Sequence, residues 1–247
     1  MVSPGNHEAE CHSPACVVNP VYGLPLSNFT AYNARWHMPS DVSGGRSSMW
    51  YSFNVGPAHF VTINTETDFP GAGEEEKGDS GIPWLKAGGF GEEGEYLKWL
   101  EADLKRADEG RKAGGRRWLL VGGHRPYDSI HESGITELLE KYEVDIYFAG
   151  HSHSYARTLD EENKPMYVVV GGAGCDEMGP PLGSIMLGPD FQLGEELYGK
   201  ENFVGDGSSI LSDRLSIGKL DVSEAELKWS LIDSTTGDIL DTVMIKA

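Results

Sequence analysis

The chain has 247 residues, enough for one sizeable core, and a formal charge of −19 at pH 7. That charge repels phosphate backbones and anionic lipid surfaces, so nucleic acid and membrane are excluded as partners, and any phosphate-bearing substrate would need local positive charge such as metal ions provide. No apolar run approaches the ~20 residues of a bilayer span, and Met1-Val2-Ser3-Pro4 has neither the basic start nor the apolar core of a signal peptide.

The sequence opens abruptly. Met1-Val2 reads as the end of a strand and Pro4-Gly5-Asn6-His7-Glu8 as the turn after it, so further strands are expected upstream. Cys11 and Cys16 enclose a short loop; with no second pair at zinc-finger spacing, a disulfide is the expectation in an oxidising compartment, where the sequon Asn28-Phe29-Thr30 would also matter. Phe29, Tyr32, Trp36 and Met38 mark a helical or irregular segment ended by Pro39. Met49–Phe53 and His59–Asn64 read as strands joined through Asn54-Val55-Gly56-Pro57. A Gly/Glu/Pro-rich surface loop is expected from Phe69 to Gly94.

Tyr96, Leu97, Leu100 and Leu104 define an amphipathic helix from Glu95. Trp118–Val121 is a strand stopping at Gly122-Gly123-His124, and a helix over Ile135–Tyr142 takes Ser133 as its N-cap. Val144–Ala149 is a buried strand that leads into Gly150-His151-Ser152-His153, and Met166–Val170 is another, ending at Gly171-Gly172. After an irregular stretch from Gly174 to Gly207, the end is strand-like over Leu215–Val222, Leu227–Asp233 and Ile239–Ile245, with Thr235-Thr236-Gly237-Asp238 as a hairpin turn. Strands alternating with helices and followed by a β-rich tail define a layered α/β or α+β fold.

Three segments share one pattern: an apolar run, a glycine, then histidine or asparagine. They are Gly5-Asn6-His7-Glu8, Val121-Gly122-Gly123-His124 and Gly150-His151-Ser152-His153. Turns beyond the carboxyl ends of strands converge on ligands in layered α/β proteins, and imidazole with an amide oxygen suits a borderline divalent ion.

Those segments, in that order, make the chain resemble the purple acid phosphatases of the calcineurin-like metallophosphoesterase superfamily, in particular fungal members. The family's ordered signature is GDxG, GDxxY, GNH[E/D], VxxH and GHxH, of which the last three are present as quoted. Trp50–Phe53 with His59-Phe60, the Tyr96–Leu104 helix, Gly150–Arg157 and Gly218–Thr242 extend the likeness over nearly the whole chain. The resemblance implies a metallophosphoesterase β-sandwich flanked by helices, here without its N-terminal strands. Residues 1–165 would be the later part of the catalytic domain, and 166–247 a C-terminal segment packed on it.

It also implies an acid phosphatase that hydrolyses phosphate monoesters, with small phosphate esters as substrates and Fe(III) plus a divalent Zn, Mn or Fe as cofactors. Asn6, His124 and His151 would hold the divalent ion, His153 the ferric one, and His7 would assist the leaving oxygen. Glu8, His131, Arg125 and Tyr155 are candidates for support or substrate contact, and Arg157 for packing. His59 reads as a structural residue, while His12 and His37 have no site context. The family is largely secreted or vacuolar.

GDxG and GDxxY do not precede Asn6. Gly78-Asp79-Ser80-Gly81 matches the first by letter but follows GNHE inside the Glu/Gly-rich loop, and Gly205-Asp206-Gly207 fails likewise for want of a strand. With one of four ferric ligands and no bridging carboxylate, this polypeptide alone is expected to bind metal weakly and turn over little. A superfamily phosphodiesterase or nucleotidase, and a non-catalytic remnant, are the competing readings.

Overall fold

In a computed structural model, the structure describes residues 1–11, 16, 18–70, 72, 88–131, 133–158, 165–172, 203–204, 209–212 and 215–247. The expectations for Gly78–Gly81, Gly205–Gly207, His12 and most of the two glycine-rich loops lie outside the described residues.

A hairpin of β1 (Tyr51–Val55) and β2 (Ala58–Thr62) opens the larger sheet. Its turn needs only Gly56, at φ 53°, and Pro57, so the first strand runs two residues further than its composition predicts. Beside it lie β3 (Trp118–Gly122), β4 (Ile146–Ala149) and β6 (Met166–Val170), with β2, β3, β4 and β6 mutually parallel. The antiparallel β5 (Tyr155–Thr158), β8 (Ser209–Ser212) and β7 (Phe203–Val204) complete the order β1-β2-β3-β4-β6-β5-β8-β7. Because β6 stands between β4 and β5, this sheet crosses the boundary drawn after residue 165. A second, antiparallel sheet comprises β9 (Ser216–Val222), β10 (Glu226–Asp233) and β11 (Ile239–Lys246), the last two joined by the expected turn with Gly237 at φ 79°.

Side chains alternate across a strand, and here both faces are buried. Leu119, Val121 and Tyr147 pack with Tyr96, Leu100 and Leu104 of the long helix Glu95–Lys112. Their neighbours Trp118, Leu120, Ile146, Met166 and Val168 face Leu227, Trp229 and Leu231 of the small sheet. The molecule is therefore layered as helices, large sheet, small sheet. Gly218 on β9 leaves room for the Trp229 ring of the neighbouring strand β10, since a Cβ there would stand 2.0 Å from that ring.

Three local expectations are corrected. Met1-Val2 is not a strand: the Val2 N–H donates to the Tyr51 hydroxyl at 3.0 Å, and the Val2 carbonyl accepts from Tyr51 at 2.7 Å and Tyr32 at 3.1 Å, so side chains occupy both ladder groups. The helix near Phe29 spans only Thr30–Arg35, ending before Pro39. The helix Ile135–Lys141 has Gly134, at φ 82°, in the cap position, while the Ser133 hydroxyl accepts from Ile135 N–H at 3.3 Å.

If both faces of β3 are core, neither Leu119→Ala nor Leu120→Ala is silent. Each is expected to lose about 2–5 kcal/mol in urea denaturation, whereas a sheet packed on one face would show the loss for only one of them.

Candidate functional site

Backbone hydrogen bonds carry the parallel strands past their carboxyl ends: Ile63 N–H to Gly122 O, Gly123 N–H to Phe148 O and Gly150 N–H to His124 O, each 2.9 Å. This sets the segments beginning at Ile63, Gly123 and Gly150 side by side. The first turn after Gly5 is the short helix Asn6–Ala9. Glu8 accepts from the Gly5 N–H at 3.0 Å at its start, and the N–H groups of Asn28 and Phe29 donate to Ala9 O and Glu8 O at its end, at 2.7 and 2.8 Å. Glu8 thus supports the turn that carries Asn6 and His7. Cys11 and Cys16, just beyond, are joined in a disulfide, as their spacing suggested.

The structure brings three predicted residues together. His124 Nε2 lies 2.8 Å from Asn6 Oδ1 and 3.1 Å from His151 Nδ1, with the two imidazoles edge to face at 77°. The Gly5 backbone lies against the His124 ring so closely that a Cβ would meet Nδ1 at 2.8 Å. An amide oxygen and two imidazole nitrogens about one point suit a divalent ion, because donors bound at ~2.0–2.2 Å to a common ion stand ~3 Å apart. The residues present therefore fit one such ion.

They do not show a second. His7 and His153 are exposed, and among the described residues no three His, Cys, Asp or Glu side chains gather in one place.

His151 has φ 62°, a left-handed conformation that a residue with a Cβ holds only when its surroundings impose it. Gly171, after β6, supplies part of that imposition. Its N–H donates to Ser154 O at 2.8 Å, and its Cα sits so near the loop that a Cβ would be 1.6 Å from Ser152 O.

Sequence reasoning missed the segment Asn64-Thr65-Glu66. The Thr65 hydroxyl oxygen accepts from the backbone N–H groups of His124 and Arg125 at 3.2 and 2.9 Å. Glu66, fully buried, takes the Arg125 guanidinium in a fork, Nε at 3.0 Å and NH2 at 2.7 Å. The remaining guanidinium nitrogen stands 3.4 Å from His151 Nε2, and the Tyr147 hydroxyl donates to Arg125 O at 2.8 Å. Burial pushes the Tyr147 phenol up, and the charge of Glu66 adds to it. Asn64 receives the Tyr96 hydroxyl on its carbonyl at 2.7 Å. The only sequence signal was position, a polar run directly after a buried strand.

The remaining candidates divide. Arg125, a candidate for support or substrate contact, makes an internal ion pair with Glu66. Tyr155 is fully buried with its hydroxyl on Asp241 at 2.5 Å, which rules out substrate contact and leaves a supporting role. His131 is exposed and stacked on Tyr127 at 6.1 Å. His59 is structural, bonded to Asn54 Oδ1 at 2.7 Å and Asp103 Oδ2 at 2.8 Å, and His37 is exposed.

With fold and geometry in place, comparison assigns the class. The profile of the calcineurin-like phosphoesterase family matches residues 1–155, and the chain belongs to that family. Among its members it is similar to acid phosphatase A of the fungus Cryphonectria parasitica, 32% identical over 98% of this chain and 51% of that protein. The acid phosphatase of Aspergillus ficuum is 31% identical over 97% of this chain and 48% of that protein. The chain thus spans about half the length of the curated relatives it matches. A purple acid phosphatase from yellow lupin seeds superposes over 100% of this chain and 40% of its own at TM-score 0.61 and 19% identity, a likeness of fold.

Two substitutions test the supports. Glu66→Gln leaves Arg125 without a counter-charge and is expected to cost about 3–5 kcal/mol by urea denaturation. Gly171→Ala forces the Ser152 carbonyl to move, so the His151 and His153 imidazole resonances should shift while those of His59 stay in place.

Proposed function

We propose that this chain contributes to an acid phosphatase that hydrolyses phosphate monoesters with the help of a dinuclear metal centre. The observation that carries the reading is that Asn6 Oδ1 and His151 Nδ1 both lie against His124 Nε2, at 2.8 and 3.1 Å. The similarity to two fungal acid phosphatases supports it.

In this reading Asn6, His124 and His151 would hold a divalent ion (Zn, Mn or Fe), and His153, two residues beyond His151, would be one ligand available to a ferric ion. Metal ions of this kind neutralise charge on phosphate oxygens and make water acidic enough to attack phosphorus near neutral pH. The chain's own residues do the rest. His7, exposed on the turn that buries Asn6, holds a proton for the departing ester oxygen. The Thr65 hydroxyl and the Glu66–Arg125 pair keep His124 and His151 in register, and Glu8 fixes the turn beneath His7. With Arg125 paired to Glu66 and a formal charge of −19, metal ions would be the natural phosphate anchors. Simple phosphate esters are the substrate class, and residues 166–247 act as a segment packed on the catalytic portion over 1–165. The disulfide and the sequon at Asn28 support a secreted or vacuolar setting.

A folded, non-hydrolytic polypeptide is the second reading. It is favoured by the lack, among the described residues, of any clustered carboxylates to bridge two ions.

The test is uptake of Mn²⁺ or Zn²⁺ by the 247-residue chain, followed by elemental analysis and turnover of p-nitrophenyl phosphate. One equivalent of ion is expected, lost at least tenfold in affinity in His151→Ala and Asn6→Ala. A chain that takes up no ion would refute the site, and turnover of p-nitrophenyl phosphate by the ion-loaded chain would refute the second reading.

A further inference from the structure

We infer that Asp241, on the small sheet, is a positioning residue for the loop His151–Ser154, acting through Tyr155 and Arg157. The inference rests on the reading of His151 and His153 as site residues.

The network lies wholly between the sheets. Asp241 Oδ2 accepts from the Tyr155 hydroxyl at 2.5 Å and from Arg157 Nε at 2.7 Å, and Oδ1 accepts from Arg157 NH2 at 3.1 Å. The Tyr155 oxygen in turn accepts from Trp229 Nε1 at 3.0 Å. All four residues are buried, with Tyr155 at 0%, Arg157 at 4%, Trp229 at 4% and Asp241 at 6% exposure.

An ion pair so placed is a costly way to join two sheets, because desolvation offsets most of its attraction and apolar residues of like volume would serve stability as well. What it provides that apolar packing does not is a fixed direction. Tyr155 is the first residue of β5 and follows His153 by two positions. A phenol held at its oxygen by Asp241 and Trp229 fixes where β5 begins, and Arg157, two residues on and on the same face, prevents rotation about that point.

Among the described residues, the loop before Tyr155 makes the following backbone bonds. Its internal bonds, Ser152 N–H to Gly150 O and Ser154 N–H to Ser152 O at 2.7 Å each, are local, and the Gly171 N–H bond to Ser154 O is the link to β6. His151 is held left-handed at the other end, at φ 62°. A strained residue keeps its conformation only when both flanks are fixed. Arg125 and His124 meet its ring on one flank; Gly171 and the Asp241 anchor fix the other.

The experiment uses the metal-free 247-residue chain, so its main readout is independent of whether any ion binds. Asp241→Asn removes the charge and Tyr155→Phe removes the hydroxyl. Ile245→Ala, on the same strand and packed on the same inter-sheet core, is the control of comparable thermal destabilisation. Both network variants are expected to shift the His151 and His153 imidazole resonances and to speed amide exchange over residues 151–154 at least tenfold; Ile245→Ala is expected to do neither. Unmoved resonances in a folded network variant, or equal movement in the control, would overturn the inference. Should Asp241→Asn fail to fold, Tyr155→Phe decides alone. A parallel Mn²⁺ titration separates the two claims: a wild-type chain that binds no ion overturns the metal site, while the imidazole readout still judges Asp241.

Discussion

Strands buried on both faces have nowhere to display polar side chains except beyond their ends. In β2, β3, β4 and β6 the apolar residues are taken alternately by one core or the other, and just beyond the strand ends stand Asn64, His124, His151 and Gly172. Because the four strands are parallel, those residues emerge on one rim. The site is a consequence of that crowding, and the ladder bonds that continue past the strand ends turn proximity into fixed geometry.

A rim made of loops would ordinarily be soft. Here it is stiffened from three directions. Glu66 grips Arg125 from the segment just beyond β2, Gly171 admits the Ser152 carbonyl to near contact after β6, and the small sheet reaches through Asp241 to the foot of β5. The small sheet is consequently more than a cover for apolar surface. The cost of burying the Arg157–Asp241 charges is met by three hydrogen bonds between the pair and Tyr155, which leaves direction rather than stability as what the arrangement supplies.

The donors were legible because their signals are local. Asn6, His124 and His151 each follow a glycine at a turn, and the three turns have ordered counterparts in a known family, which the profile match over residues 1–155 bears out. The strands and the Glu95–Lys112 helix were legible from periodicity, with ends shifted by a residue or two where a glycine or a tyrosine hydroxyl took over a backbone role. The supports were not legible. Glu66 acquires its meaning from Arg125, 59 positions away, and Asp241 from Arg157, 84 positions away. Tyr155 and Arg125 were candidates for support or substrate contact by position, and packing shows which partners each takes inside the protein.

The tyrosines that tie these parts together share a further property. The hydroxyls of Tyr32, Tyr51, Tyr96, Tyr147 and Tyr155 all serve buried hydrogen bonds, and burial raises every one of them above the ordinary phenol. A proton held more tightly folded than unfolded stabilises the fold fully below the free phenol value of about 10 and is lost only as pH climbs through the raised value. Across acid and neutral conditions these struts therefore neither gain nor lose a proton. The tyrosine part of the frame keeps its charge state through the range in which imidazoles titrate, and its limit lies on the alkaline side.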